Sequence, residues 1–372
     1  MLSCHLSLKV AQKFLTSMRN ISKSPQRNVE TMYRVKLRKS VAVQTHSSSF
    51  SNIEVASQTS SEGISYSRKQ RLQQSPFTTY DDLKESIFSS KDFLFQWLKD
   101  RQLIAAEQLC PQCDSVMTWT ETTDRKDGYK WLCRKTTNGK RHRVEVSIRK
   151  GSWFEKSNFT VEEIIKFTYW WTVDLTQSQI VQQLGFASNS GVDWDMFCRE
   201  VCEVVMLQES LPIGGPGKVV QIDESKIGKR KYHKGHRVEG QWVFGGIENE
   251  SRKSFIFAVE KRDEATLLPL IKKWILPGTK IVSDCWKAYI NLEKHGYVHA
   301  TVNHSKEFVN DDGDHTNRIE GHWRQMKVAL PTHGRRKHHY SSYLAEFVWR
   351  YTHRGENLFN TFLQDIAKIY KV

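Results

Sequence analysis

Three acids in this sequence have the types and spacing that phosphodiester chemistry requires. Asp223 sits inside an apolar run (Val219, Val220, Ile222), Asp284 closes another (Ile281, Val282), and Glu320 falls in the helical run NRIEGHWRQMK. A carboxylate inside an apolar strand is costly unless something compensates its charge. Two aspartates at the ends of neighbouring strands, with a glutamate from a packed helix, make an oxygen-ligand site for Mg²⁺ or Mn²⁺. Two such ions can activate a water or a 3′-hydroxyl and stabilise the leaving oxygen during in-line attack. Any one of these acids alone reads as a strand-end cap or a surface residue; the three together read as catalytic. Glu224 must point to the opposite face of its strand from Asp223 and is expected to be structural or a minor helper. His304 and His315 either contact the scissile phosphate or position Glu320, or are plain polar surface residues.

A second chemistry is written in the cysteines. Cys110-Pro-Gln-Cys113 is a knuckle whose thiolates can hold Zn²⁺, with Cys133 as a third ligand. No fourth cysteine follows, and His142 lies where one is needed; the alternative is a ribbon that keeps its turn without a metal. Cys198 and Cys202, four apart on a helix, are expected in the core, and Cys4 and Cys285 carry no signal. Seven cysteines in 372 residues with a single Cys-x-x-Cys do not resemble a secreted disulfide framework.

The elements that must carry these groups follow from periodicity. Residues 1–77 are rich in Ser, Thr and basic residues and are expected to form a disordered tail. Residues 78–107 read as a helical lead-in, with Phe93, Leu94, Trp97 and Leu98 on one face. Residues 108–152 alternate turns with short β-like runs (WLCR, VEVSI), the texture of a zinc ribbon. Residues 153–210 read as a helix, a short helix ending at Gly185 and a third helix, which is a helix-turn-helix arrangement. LPIGGPGK reads as a linker. From 217 to 372 the expectation is a mixed α/β domain with the order β-β-β-α-β-α-β-α, in which KAYINLEKHG is a helix. That is the order of the ribonuclease H fold, a mixed sheet flanked by helices.

The blocks QIDESKIGKRKYHKGHRVEGQWVFGGIE, VSDCWKAY, VNHSKEFV, HTNRIEGHWRQMK and YLAEFVWRYTHR resemble the Merlin superfamily of cut-and-paste DNA transposases and related bacterial insertion-sequence transposases. The match runs from about Leu94 to Tyr351. The resemblance implies a ribonuclease-H-like DDE domain whose acids fall on Asp223, Asp284 and Glu320, preceded by a zinc ribbon and a helix-turn-helix. It further implies binding of terminal inverted repeats, cleavage at the element ends, and joining of the freed 3′-hydroxyl to target DNA. The competing reading is a domesticated descendant that binds DNA without cutting; loss of an acid would favour it, and none is lost.

The formal charge of +15 fits a polyanionic partner. Residues 1–77 hold 12 Lys and Arg against 3 Asp and Glu, so the other 295 residues carry only +6. Expected DNA contacts are Ser188, Ser190 and Arg199 on a recognition helix within Thr176–Arg199. Further contacts are expected from Lys229, Arg230, Lys231 and Lys234 after the first catalytic strand, and from Arg335, Arg336 and Lys337 past the catalytic helix. Trp323 is expected to pack rather than stack on bases. Pairing two DNA ends makes a homo-oligomer the expected assembly. No run approaches the eighteen or so apolar residues of a membrane span, so a soluble protein is expected. The nucleus is the expected location, with the basic, acid-poor N-terminus leaving mitochondrial targeting as the alternative.

Overall fold

The computed structural model describes residues 79–137, 139–228, 240–302, 314–331 and 339–372, all within one compact unit, Pro76–Val372. The expected tail, Lys229 to Lys234, His304 and Arg335 to Lys337 lie outside the described residues.

The chain begins with α1 (Tyr80–Ser86), started by a capping box between Thr79 and Asp82, and α2 (Lys91–Asp100), capped by Ser90. The inward face of α2 is Leu94, Phe95 and Leu98; Phe93, expected on it, is 66% exposed. One residue of helix is about 100° of rotation, so an apolar run of this density fits two registers and packing selects one. A three-stranded antiparallel sheet follows: β1 (Thr118–Glu121), β2 (Tyr129–Thr137) and β3 (Lys140–Ser147) in that order. Three helices come next. α3 (Val161–Thr172) and α4 (Gln177–Leu184) both open with capping boxes, on Thr160 and Thr176; α4 stops at Gly185 with φ 67°, and α5 (Ser188–Glu209) begins three residues on. Gly191 allows α5 to lie against α4, since a Cβ there would come 2.2 Å from Val181 Cγ2.

LPIGGPGK is more than a linker. Ile213 is buried, and β4 (Ile213–Gly214) pairs in parallel with β8 (Ile275–Leu276). The main sheet is formed by β5 (Val219–Ile227), β6 (Gln241–Glu248), β7 (Ser254–Val259), β9 (Lys280–Asp284) and β10 (Val298–Val302), in the order β10-β9-β5-β6-β7. β5, β9 and β10 are parallel, while β6 runs antiparallel to both neighbours, a topology consistent with a ribonuclease-H-like fold. The expected helix between β9 and β10 is instead two 3₁₀ turns, Lys287–Tyr289 and Leu292–His295, ended by Gly296 at φ 83°. Each turn closes with i→i+3 bonds, from Tyr289 N–H to the Trp286 carbonyl and from Lys294 N–H to the Asn291 carbonyl, which is the tighter 3₁₀ winding.

Alternation along β5 sends Val220 and Ile222 to one face of the sheet, where they pack with Leu267, Ile271 and Trp274 of α6 (Glu264–Trp274). Ile227 joins Val243, Ile247 and Ile256 on the other face, under Ile319, Trp323 and Met326 of α7 (Asn317–Ala329) and Leu344, Phe347 and Val348 of α8 (Tyr340–Thr352). A separate core unites α2 to α5 and the small sheet with α9 (Leu358–Ile369), through Phe359, Phe362, Leu363 and Ile366. The C-terminal helix, expected within the 217–372 domain, thus completes the core of the N-terminal helices. No helix among the described residues is long and apolar enough to cross a membrane.

Candidate active site

β5 and β9 pair in parallel register from Val219↔Lys280 to Gln221↔Val282. Two residues further on, that register sets Asp223 and Asp284 level, on the same face of adjacent strands. This is the face covered by α7, whose first turn carries Glu320, exposed and three residues before Trp323. Trp323 Nε1–H donates to Asp223 Oδ2 at 2.9 Å, and the Trp286 backbone N–H donates to Asp284 Oδ1 at 3.1 Å. Burial pushes the Asp223 carboxyl up to about 6, and the charges of Asp284 and Glu320 push it the same way. The three expected acids therefore interact electrostatically, and a divalent cation among them would relieve their mutual repulsion.

Two residues that sequence reasoning missed make this arrangement. Gln221, fully buried, accepts the Arg318 and Ile319 backbone N–H groups on its Oε1 at 3.0 and 3.1 Å. It thereby caps α7, whose own N-cap residue Thr316 does not cap the helix with its side chain. The available signal was a single amide inside the apolar run VVQI. Gly245 stands opposite Asp223 on β6, and a Cβ there would lie 2.7 Å from Trp323 Cη2. The missing side chain is what lets the indole reach Asp223. Trp323 packs as expected, 4% exposed, and also orients a carboxylate.

Glu224 faces the other way, as alternation requires. It accepts the Tyr289 hydroxyl, and burial, with Asp223 and Asp284 nearby, raises its carboxyl to about 7. His315 Nδ1 lies 3.3 Å from Gln221 Nε2, against the amide that caps α7. Beside Asp284, the Arg262 guanidinium stacks 3.9 Å from the Trp242 ring centre and 4.7 Å from that of Trp286.

The second cluster is also assembled. Cys110, Cys113, Cys133 and His142 place one ligand atom each within 4.8 Å of all the others. Cys113 Sγ and Cys133 Sγ are 3.7 Å apart; His142 Nε2 is 3.3 Å from Cys133 Sγ and 3.6 Å from Cys110 Sγ. A tetrahedral ion with bonds of about 2.3 Å to sulfur and about 2.0 Å to nitrogen separates its ligands by about 3.8 Å (S···S) and about 3.5 Å (S···N). The four residues therefore fit a zinc-sized ion. Hydrogen bonds from Ser115 hold the Cys113 thiol down to about 6, while burial pushes the neighbouring Cys133 thiol up to about 11. Cys198 and Cys202 are buried in the core, their thiols pushed well up by burial.

Of the expected DNA contacts on α5, Ser188 is exposed and Ser190 half-buried at its start. Arg199 must be corrected. It is 5% exposed, ion-paired with Asp195, and its guanidinium lies 4.7 Å from the Tyr343 ring centre of α8. Three turns into a helix whose inner face is apolar, its position points at the core, and it braces α5 on α8 instead of reaching a groove.

Residues 212–352, from β4 to the end of α8, match the ISXO2-like transposase domain. An uncharacterized transposase-like protein of Haemophilus influenzae is 30% identical over 100 residues, which are 27% of this chain and 80% of that protein. The chain belongs to this transposase family. Among solved structures, the HTLV-2 integrase catalytic core domain in complex with magnesium is similar at 14% identity and a TM-score of 0.23, over 38% of this chain and 88% of that one. The BIV integrase catalytic core domain is similar at 12% identity and a TM-score of 0.25, over 41% and 97%. Superpositions this loose carry no information about chemistry.

Proposed function

We propose that this chain is a cut-and-paste DNA transposase that binds terminal inverted repeats, hydrolyses phosphodiesters at the element ends and joins the freed 3′-hydroxyl to target DNA. The observation that carries the reading is the convergence of Asp223, Asp284 and Glu320 on one face of the sheet, within a transposase family domain. These three residues would hold Mg²⁺ or Mn²⁺, which when bound supplies activation of the attacking oxygen and neutralisation of the leaving one. Trp323 fixes one Asp223 oxygen, and so the orientation of the carboxylate. Gln221 fixes the start of α7 and with it the height of Glu320 above the sheet. Cys110, Cys113, Cys133 and His142 would hold structural Zn²⁺ in a ribbon, and α4 and α5 would read the repeat as a helix-turn-helix with Ser188 and Ser190 at the start of its second helix. The reaction implies a nuclear protein that pairs two DNA ends, so a homo-oligomer.

The test is incubation of the purified chain with a labelled duplex bearing the flanking element's terminal repeat, with Mg²⁺ or Mn²⁺, beside Asp284→Ala. Metal-dependent nicking or joining is expected, reduced by at least about 10³-fold in the variant, equivalent to about 4 kcal/mol of transition-state stabilisation. Specific binding without cleavage in either metal would instead identify a DNA-binding descendant.

A further inference from the structure

β2 and β3 continue past β1, whose last rung toward their tip is Thr118↔Leu132, as an unsupported two-stranded ribbon through Thr137↔Lys140. Beyond Cys133 this ribbon carries Arg134, Lys135, Lys140, Arg141 and Arg143, all exposed. Both strands together contain one acid, Glu145, already shared by Arg143 at 2.7 Å and Lys130 at 3.1 Å. Arg134, Lys135, Lys140 and Arg141 have no ion-pair partner among the described residues.

The placement of these cations works against the fold. Arg134 and Arg143 are direct cross-strand partners, and like charges so opposed destabilise a hairpin. Alternation puts Arg134, Arg141 and Arg143 on one face and Lys135 and Lys140 on the other. A ribbon charged on one face suits a single phosphate backbone. One charged on both suits the space between two, and a two-stranded ribbon is narrow enough for the duplex major groove, about 12 Å wide. Its base is held by the Cys133 and His142 pair of the candidate zinc cluster, so the ribbon projects from a fixed point.

We propose that the β2–β3 ribbon is a DNA-binding arm that enters a groove of duplex DNA and contacts the phosphates of both strands. The proposal rests on the reading that the chain acts on DNA, and assigns that contact to residues distinct from the helices and from the acids. The arm contributes sequence-independent affinity, which complements helices that expose Gln179, Gln182, Gln183, Ser188 and Asp193 but no cation.

The experiment measures binding of the full chain, zinc-loaded, to labelled terminal-repeat and random duplexes by anisotropy across a potassium chloride series. The variants are R134Q/R141Q/R143Q, K135Q/K140Q, and R134K/R141K/R143K. The arginine-to-glutamine variant is expected to lower the slope of log affinity against log salt by about 2 to 3, at about 0.9 for each phosphate no longer neutralised, on both duplexes. The lysine-to-glutamine variant is expected to lower it by about 1 to 2. The arginine-to-lysine variant should restore the slope, which a structural role for the guanidinium groups would not allow. Unchanged slopes in both glutamine variants overturn the arm while leaving the transposase reading intact. A lowered slope from one face only overturns groove entry. No binding of any duplex by the unsubstituted chain overturns the transposase reading and the arm together.

Discussion

Trp323 and His322 are neighbours on α7, and their polar atoms have opposite fates. The indole N–H of Trp323 reaches Asp223, whereas both ring nitrogens of His322 are buried with no hydrogen-bond partner among the described residues, beside Trp323, Phe347 and Tyr351. Burial, aided by the charge of Arg354, pushes the His322 imidazole down to about 4. In the unfolded chain the same ring takes up a proton below about pH 6.5. Its folded pKa is depressed, so its contribution to stability is present above pH 6.5 and lost as the pH falls toward 4. His322→Phe keeps a ring in the aromatic pocket and removes that loss. Denaturant melts at pH 7.5 and 4.5 should show the variant gaining about 2–3 kcal/mol relative to the natural chain on acidification. Parallel curves at both pH values would exclude His322 as the acid-sensitive group. Asp223 and Asp284, two of the three acids proposed to hold the metal, stand out in the sequence because an aspartate in an apolar strand is conspicuous. Gly245 does not, because a glycine in FGG reads as sheet flexibility until Trp323 is seen above it.

At the scale of elements, α7 depends on a side chain that belongs to another element. Its first free amides, at Arg318 and Ile319, end on Gln221 of β5. Gln221→Leu would keep the volume and leave two N–H groups without an acceptor. The cost should be about 2–4 kcal/mol in a urea melt, since each unmade buried bond is worth about 1–3 kcal/mol. A melt indistinguishable from the natural chain would show that α7 needs no such cap. α3 and α4, by contrast, begin with their own Thr-x-x-Glu and Thr-x-x-Gln boxes. That difference explains what could be read in advance. The short helix ending at Gly185 could be read from its own residues, while a cap delivered from a strand 97 residues away leaves no local mark. The 3₁₀ turns after Asp284 differ from the expected helix because KAYINLEKHG has helical periodicity, and periodicity does not tell i→i+3 from i→i+4 winding over so few residues.

For the whole molecule, α8 joins two cores. Phe347 and Val348 face the sheet, while Trp349 donates to Asp365 of α9 at 2.8 Å and Arg350 donates to the Trp171 and Thr172 carbonyls that end α3. The sequence of α9 is amphipathic, which calls for burial without naming the partner, so the 217–372 range does not reveal that α9 packs on the N-terminal helices. Removing residues 356–372 would take Phe359, Phe362, Leu363 and Ile366 out of the N-terminal core, at about 1.5–3 kcal/mol each, comparable with the 5–15 kcal/mol that holds a typical domain. Limited proteolysis of that truncation should digest residues 79–210 rapidly and spare a fragment containing 212–352. Equal resistance of the two regions would show that the N-terminal core closes without α9.

The seat of α9 also sets an order of assembly on the ribosome. The N-terminal core waits for residues 359–366, about 250 residues after α2 has emerged, or about 10–50 s at ordinary rates of synthesis. A message broken or a chain released before that point yields helices without their closing piece, whatever state the sheet has reached. The part of the protein proposed to recognise an element's ends would therefore become competent only in chains translated past residue 366.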